Sequence, residues 1–506
     1  MLFNTPEFVF VFLPLAVMLH FMAARQSVTL ATVTTTASSL AFYAWWNPPF
    51  VLLPAISIVA NFFLARAIVG AGESSARRLL FAGVTANLAV LGYFKYADFI
   101  AAIVEMRSPS PPNVPLALSF TTFVQIAFLV YVWRERPRVD FSRYAMFVSF
   151  FPHLIAGPIV RWDDLGPQIG DKLRYRFDWN NIALGLTVFC LGLGKKMLIA
   201  DNLAPHIAPV FDAASLGEPI TAFAAWGAAF AYSAQLYFDF SGYCDMAVGL
   251  GLLFNLQLPI NFAAPLRSTN IIDLWRRWHI TLSNFLRDFV YVPLGGSKCG
   301  PIRRALNLIA TLALGGLWHG ANWTFIAWGV FNGILLTANH AWRSYRSERP
   351  VTRSAHLAGW CATFISFAIG MVMFRSPNVG AMTCMLRAMV GLDGGPTAAD
   401  QIRVKADLWL IRHGYLSEHL VRAVAGQNWS MMAALATLVA LAILLLVPDT
   451  MELVDYRHGE PHAHWRRQLG RWAWRPSLPW LAFIAAVFAA SFAFFWHVNE
   501  FLYYQF

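Results

Sequence analysis

The chain has 506 residues, 58% hydrophobic and 15% aromatic, with only 13% charged and a formal net charge of +11. Soluble domains carry roughly 25% charged residues, so this composition excludes one and points to an integral membrane protein. The basic excess lies in separate loops rather than in one binding arm, which sets aside nucleic acid as a partner and leaves a lipid bilayer with its anionic face.

Apolar runs long enough to cross the hydrocarbon fall near 7–24, 28–46, 50–69, 79–100, 115–133, 182–199, 221–253, 321–342, 357–374, 431–447 and 480–497. They predict an all-α polytopic protein of about eleven spans, with re-entrant or interfacial helices between them. The first run has no basic residue before it and Arg25 after it, so it reads as a retained first helix with the amino terminus outside. Arginine-rich loops at Arg66, Arg77 and Arg78, at Arg134 to Arg143, at Arg343 to Arg353 and at Arg457 to Arg475 share one side if the helices alternate, and that side is cytoplasmic by the positive-inside rule.

Residues 1–133 read as an N-terminal set of helices, with Tyr43, Trp45 and Trp46 at an interface. In the catalytic core, 141–342, the stretch FVSFFPHLIAGPIVRWDDLGPQ is broken by Pro152, Gly157 and Pro158. Irregular backbone at membrane depth is tolerated only inside protein or beside a cavity, so this is a re-entrant element, and His153 within it is structural. Lys195 and Lys196, followed by Asp201, either anchor a helix end or bind a phosphate-bearing donor.

The stretch IIDLWRRWHITLSNFLRDFV predicts one helix, capped by Asn270 and ended by Pro293, Gly295 and Gly296. On it Trp275, Arg276, His279 and Ser283 would share one face, while Asp273 and Arg277 pair on another. LGGLWHGANWTF then sets His319 among Gly315, Gly316 and Gly320, where a helix break would hold the imidazole in an internal funnel. Residues 375–430 read as a polar external loop and 431–506 as C-terminal helices, the whole forming a single domain; His458, His462 and His464 belong to a solvated basic loop. Five cysteines without CxxC spacing imply neither a disulfide framework nor a zinc site.

Ionisable groups at membrane depth are costly and mark function by default. A neutral imidazole can take a proton from a hydroxyl near pH 7, so His319 and His279 are the candidate catalytic pair. Trp318, Trp275, Arg276 and Asn322 are candidate donors to a developing oxyanion, and Ser283 and Asp239 complete the expected substrate-binding set. GxSxG, HExxH and glycine-rich phosphate loops do not occur, which argues against a covalent serine route and against a metal. Two competing readings are a transporter, whose polar path would use Asp239, Asp245, Arg276 and His279, and a non-catalytic scaffold of an export complex. The halves of the chain show no internal repeat of the kind many transporters carry.

FDFSGYCDMAVGL, LWRRWHITLSNFLRDFVYVPLGG and LGGLWHGANWTF, with FPHLIAGPIVRW, KKMLIADNLAP, the opening MLFNTPEFVFVFLPL and the closing FLYYQF, resemble the membrane-bound O-acyltransferase family in its alginate O-acetylation branch. The resemblance runs nearly end to end and is weakest over 345–480. It implies a funnel-shaped bundle, with the family's essential histidine at His319 and its other characteristic histidine at His279. It further implies no bound cofactor, acetyl-CoA as the cytoplasmic acyl donor, a periplasmic SGNH-type acetyltransferase partner, a polysaccharide acceptor and a bacterial inner-membrane location. SFTTFVQ with Val124 and Tyr131, His153 and Leu266 depart from the branch's pattern. The acceptor therefore stays open among alginate, cellulose, peptidoglycan and other glycans.

Overall fold

A computed structural model describes residues 2–106, 114–345, 352–392, 429–458, 469–495 and 502. Among these the chain is helical and carries no strand, and every apolar run identified in the sequence holds a helix. The helices are α1 (Leu13–Ala24), α2 (Val28–Ala44), α3 (Leu52–Gly70), α4 (Glu73–Leu91), α5 (Ala97–Ile103), α6 (Leu118–Glu135), α7 (Phe141–Ser149), α8 (Phe151–Leu154), α9 (Trp162–Gly170), α10 (Trp179–Gly194), α11 (Asp201–Ser215) and α12 (Ala222–Leu253). They continue as α13 (Ile271–Arg277), α14 (Ile280–Leu286), α15 (Pro301–His319), α16 (Trp323–Tyr345), α17 (Arg353–Arg375), α18 (Val379–Met389), α19 (Met431–Leu446), α20 (Thr450–Leu453) and α21 (Leu478–Phe492). By length and apolarity, four helical stretches among the described residues suffice to cross a membrane: Pro48–Gly70, Glu73–Ile103, Trp179–Ser215 and Arg353–Arg375. Phe8–Ala24, Val379–Met389, Met431–Leu446 and Leu478–Phe492 are shorter apolar helices.

The chain divides into two compact units, and the boundaries fall inside a π-helical turn at 195–200 and inside α12. The first unit comprises 1–197, 240–261 and 450–505. Its core is aromatic: Phe3 stacks on Tyr243 at 4.8 Å between ring centres, and Phe151 meets Phe42 at 5.5 Å and Phe254 at 5.7 Å. The proline-broken stretch lies within this core, as its sequence requires. Phe150 to Val160 are buried, Gly157 takes a positive φ of 114°, the Gly157 carbonyl accepts from Asn261 Nδ2 at 3.1 Å, and the Phe151 amide donates to Ser39 Oγ at 3.1 Å. Protein partners replace the hydrogen bonds that the interrupted helix gives up. His153 is buried, with its ring centre 6.0 Å from that of Phe150 and 6.4 Å from that of Phe147.

In the same unit α10 and the second half of α12 pack backbone to backbone. A Cβ at Gly249 would stand 2.6 Å from the Gly185 carbonyl oxygen, and one at Gly242 would stand 2.7 Å from that of Gly192. Small residues permit this approach, and it brings Lys195 Nζ to 2.7 Å from Asp245 Oδ2, with side chains only 15% and 7% exposed. Of the two roles open to Lys195, this buried pair places it in the frame.

The second unit comprises 198–239, 262–449 and Phe506. Most of the expected polar loop, 393–428, lies outside the described residues, as do His462, His464 and most of the closing FLYYQF. Val379–Met389 is helical within the span read as loop, and Trp226 Nε1 donates to the Met389 carbonyl at 3.0 Å.

Candidate active site

The first histidine stands at a break. Asn270 caps α13 by accepting from the Asp273 amide at 2.9 Å, and Asp273 pairs with Arg277 at 2.9 Å, both as the sequence predicts. The single helix expected across this stretch does not form. Seven residues of α13 end at Arg277, Trp278 is extended, and His279 adopts the left-handed conformation with φ 44° and ψ 54° before the seven residues of α14 begin. The cause is tertiary. Trp278 is held edge-on between Phe262 at 5.0 Å and Phe367 at 4.9 Å, and the Ala263 amide takes the Arg277 carbonyl at 3.1 Å, so continuing the helix would cost both contacts. A left-handed conformation costs a non-glycine residue about 1–2 kcal/mol, which the surrounding packing must supply.

The break redistributes the face drawn on a single helix. Arg276 is exposed and lines a cavity between α13, α16 and α17 rather than standing beside the histidines. Trp275 turns towards Trp328, with ring centres 5.8 Å apart, and its Nε1 is buried without a hydrogen bond. Ser283 stays close through its amide, which donates to the His279 carbonyl at 3.0 Å, while its hydroxyl reaches the Trp278 carbonyl at 3.4 Å.

The second histidine closes α15, and here the predicted break is present: Gly320 is extended and α16 starts at Trp323. α15 and α16 pack through glycines, because a Cβ at Gly316 would strike the Phe325 carbonyl and one at Gly329 the Leu312 carbonyl. This close approach carries the aromatic side chains of α16 to the end of α15. The His319 ring lies 5.3 Å from Trp328, 5.0 Å from Phe374 and 4.9 Å from Trp318, with Phe325 at 6.4 Å. Phe374 in turn meets Trp328 at 5.2 Å and Phe325 at 4.9 Å, which closes an aromatic box around the imidazole.

The two imidazole centres are 6.5 Å apart, and Trp318 lies 6.1 Å from His279. His279 is 1% exposed and His319 5%. Such walls exclude bulk water and leave the imidazoles as the titratable groups at the point where the two helix breaks meet. The expected donor Asn322 is committed elsewhere: its Nδ2 donates to the Pro377 carbonyl at 2.7 Å and its Oδ1 accepts from the Thr324 amide at 3.0 Å, capping α16. Asp239 is buried on α12. Among the described residues no three His, Cys, Asp or Glu side chains gather as a metal-holding group.

Trp328 and Phe374, which the sequence reading did not single out, supply two walls of the box. Their only sequence signal is position, in WG opposite the WHG element and immediately before Arg375.

Comparison with known proteins gives this geometry a family. The family model described as MBOAT, membrane-bound O-acyltransferase family, matches residues 113–382, which include both histidines and the aromatic box. A peptidoglycan O-acetyltransferase of Helicobacter pylori is 41% identical over 428 residues, covering 78% of this chain and 80% of its own. A probable alginate O-acetylase, AlgI, of Azotobacter vinelandii is 40% identical over 408 residues, covering 77% and 78%. A teichoic acid D-alanyltransferase of Streptococcus thermophilus is 25% identical over 331 residues, covering 60% and 79%. The chain is a polytopic membrane acyltransferase that belongs to the membrane-bound O-acyltransferase family, in its AlgI-like branch.

Proposed function

We propose that the protein moves an acetyl group from a cytoplasmic thioester, acetyl-CoA, across the bacterial inner membrane for O-acetylation of an exported polysaccharide. The observation that carries this reading is the pairing of His279 and His319 at 6.5 Å, where two helix breaks meet inside an aromatic box. In the transfer, His319 takes the proton of the acceptor hydroxyl as its oxygen attacks the thioester carbonyl. The carbon–sulfur bond then breaks, and the thiolate leaves with that proton. A positioned base of this kind is worth about 10²–10⁴-fold. His279 orients the acceptor or shares the proton, and the indole N–H groups of Trp318 and Trp275 are the donors of the predicted set that this reading keeps for a developing oxyanion. Arg276 and Asn322 have no part in this reading of the chemistry, because one lines a separate cavity and the other caps α16.

The names of the two O-acetyltransferase relatives support a glycan acceptor, and they carry alginate and peptidoglycan. In this reading the hydroxyl acylated at His319 belongs to a periplasmic SGNH-type partner, whose ester bond then breaks as the sugar hydroxyl takes the acetyl group and returns its proton to the partner. The test is glycan O-acetylation in cells that express His319→Ala at wild-type levels. Ester content should fall to background, and full acetylation would overturn the reading.

A further inference from the structure

A cavity of ≈ 1640 Å³ lies in the second unit between α13, α16 and α17, larger than the roughly 300–1,000 Å³ usual for small-molecule pockets. It is polarised along the helices. α16 and α17 are neighbours joined by a short link, so Arg343 and Tyr345 at the end of one stand level with Ala355 and His356 at the start of the other. Towards the other end the walls are Leu335 and Ala338 on α16 and Ala362 and Ser366 on α17. The lining runs from 335 to 345 on one helix and from 355 to 366 on the other, about 15 Å along each axis. Trp342, 56% exposed, and Tyr345, 85% exposed, mark the charged end as the place where aromatic residues meet a membrane interface.

Positive charge collects at this same end. Arg276 and Arg343 both line the cavity, and beside it Arg304 Nη2 donates to His340 Nδ1 at 2.7 Å. Asp273, the carboxylate lining the cavity, is already bound to Arg277 at 2.9 Å, and the buried Nε of Arg304 makes no hydrogen bond. Two guanidinium groups lining one cavity, whose carboxylate is already committed elsewhere, favour an anion between them. Basic pockets between membrane helices meet that need with lipid phosphates.

We propose that this cavity binds an anionic phospholipid, with its phosphate held by Arg276 and Arg343 and one acyl chain lying in the groove between α16 and α17. Bound lipid would brace α13, whose last turn carries Arg276 three residues before His279.

The test uses the full-length protein in nanodiscs of phosphatidylcholine with or without phosphatidylglycerol, followed by native mass spectrometry of the lipid that stays bound. Wild type should retain phosphatidylglycerol over phosphatidylcholine. The R276Q/R343Q pair should bind it roughly 30-fold more weakly, taking each arginine at its usual worth beside an anionic headgroup. Ala362→Trp, which fills the groove and leaves the arginines intact, should also lose the lipid, and it decides the matter if the arginine pair fails to fold. Equal retention by wild type and either folded variant would overturn the proposal. So would displacement of phosphatidylglycerol from wild type by free CoA or inorganic phosphate, which would assign the site to a soluble phosphate ester.

Discussion

Gly329→Ala tests whether the α15–α16 contact sets the position of His319. The added methyl would lie 2.8 Å from Ala313 Cα and nearer still to the Leu312 carbonyl, both of them backbone. Relieving the Ala313 contact alone to an ordinary 3.4 Å would part the helices by roughly 0.6 Å, and the nearer Leu312 carbonyl demands more, since no rotamer relieves a clash with backbone. Overpacking of this kind costs about 1–3 kcal/mol. The same displacement moves Trp328, one residue away, off the His319 ring it now faces at 5.3 Å. A misplacement of about 1 Å can cost some 10²-fold in rate, so activity should fall much further than stability. The assay is the initial rate of acyl transfer by purified protein, with thermal unfolding measured on the same samples. Gly329→Ala protein with wild-type turnover would refute the argument that this glycine contact builds the site.

Other substitutions probe separate steps. Asn tolerates left-handed backbone, so His279→Asn should unfold at the wild-type temperature while transfer falls, whereas β-branched His279→Val should cost about 1–2 kcal/mol more in thermal unfolding. Removing one member of the buried Lys195–Asp245 pair, as in Asp245→Asn, should destabilise by about 3–5 kcal/mol. The double variant Lys195→Met with Asp245→Leu should recover most of that loss, and equal unfolding temperatures for the single and double variants would refute the assignment. Phe374→Ala opens one wall of the box and should admit water to His319, so that hydrolysis of the donor without acceptor rises relative to transfer. A donor-to-ester ratio unchanged from wild type would count against the box as a water barrier.

What could be read before the structure followed from strong local signals. Long apolar runs became helices because nothing else buries their backbone polar groups in lipid. The Asn270 cap, the Asp273–Arg277 pair, the broken backbone around Gly157 and the helix end at His319 each follow from residues within a few positions of one another. What escaped depends on distant partners. α15 carries Arg303, Arg304 and Asn307 in its first turns and so shows no apolar run, although it becomes a 19-residue helix packed on α16. WRRWHITLSN reads as continuous helix, and the seating of Trp278 between Phe262 and Phe367, with the Ala263–Arg277 backbone hydrogen bond, breaks it at His279. Lys195 reads as an end anchor or a ligand of a phosphate-bearing donor because Asp245, its partner, is 50 residues away. Trp328 and Phe374 lie inside apolar runs, where nothing in the local pattern separates a site wall from a lipid-facing ring.

The central claim is that the imidazole at 319 moves the proton in acyl transfer. Purified His319→Gln, which keeps a polar side chain of similar reach, should be measured in proteoliposomes with labelled thioester donor and acceptor supplied on opposite sides. The account predicts a rate lower by about 10²–10⁴-fold at an unchanged unfolding temperature. Transfer within a few-fold of wild type from that variant would contradict it.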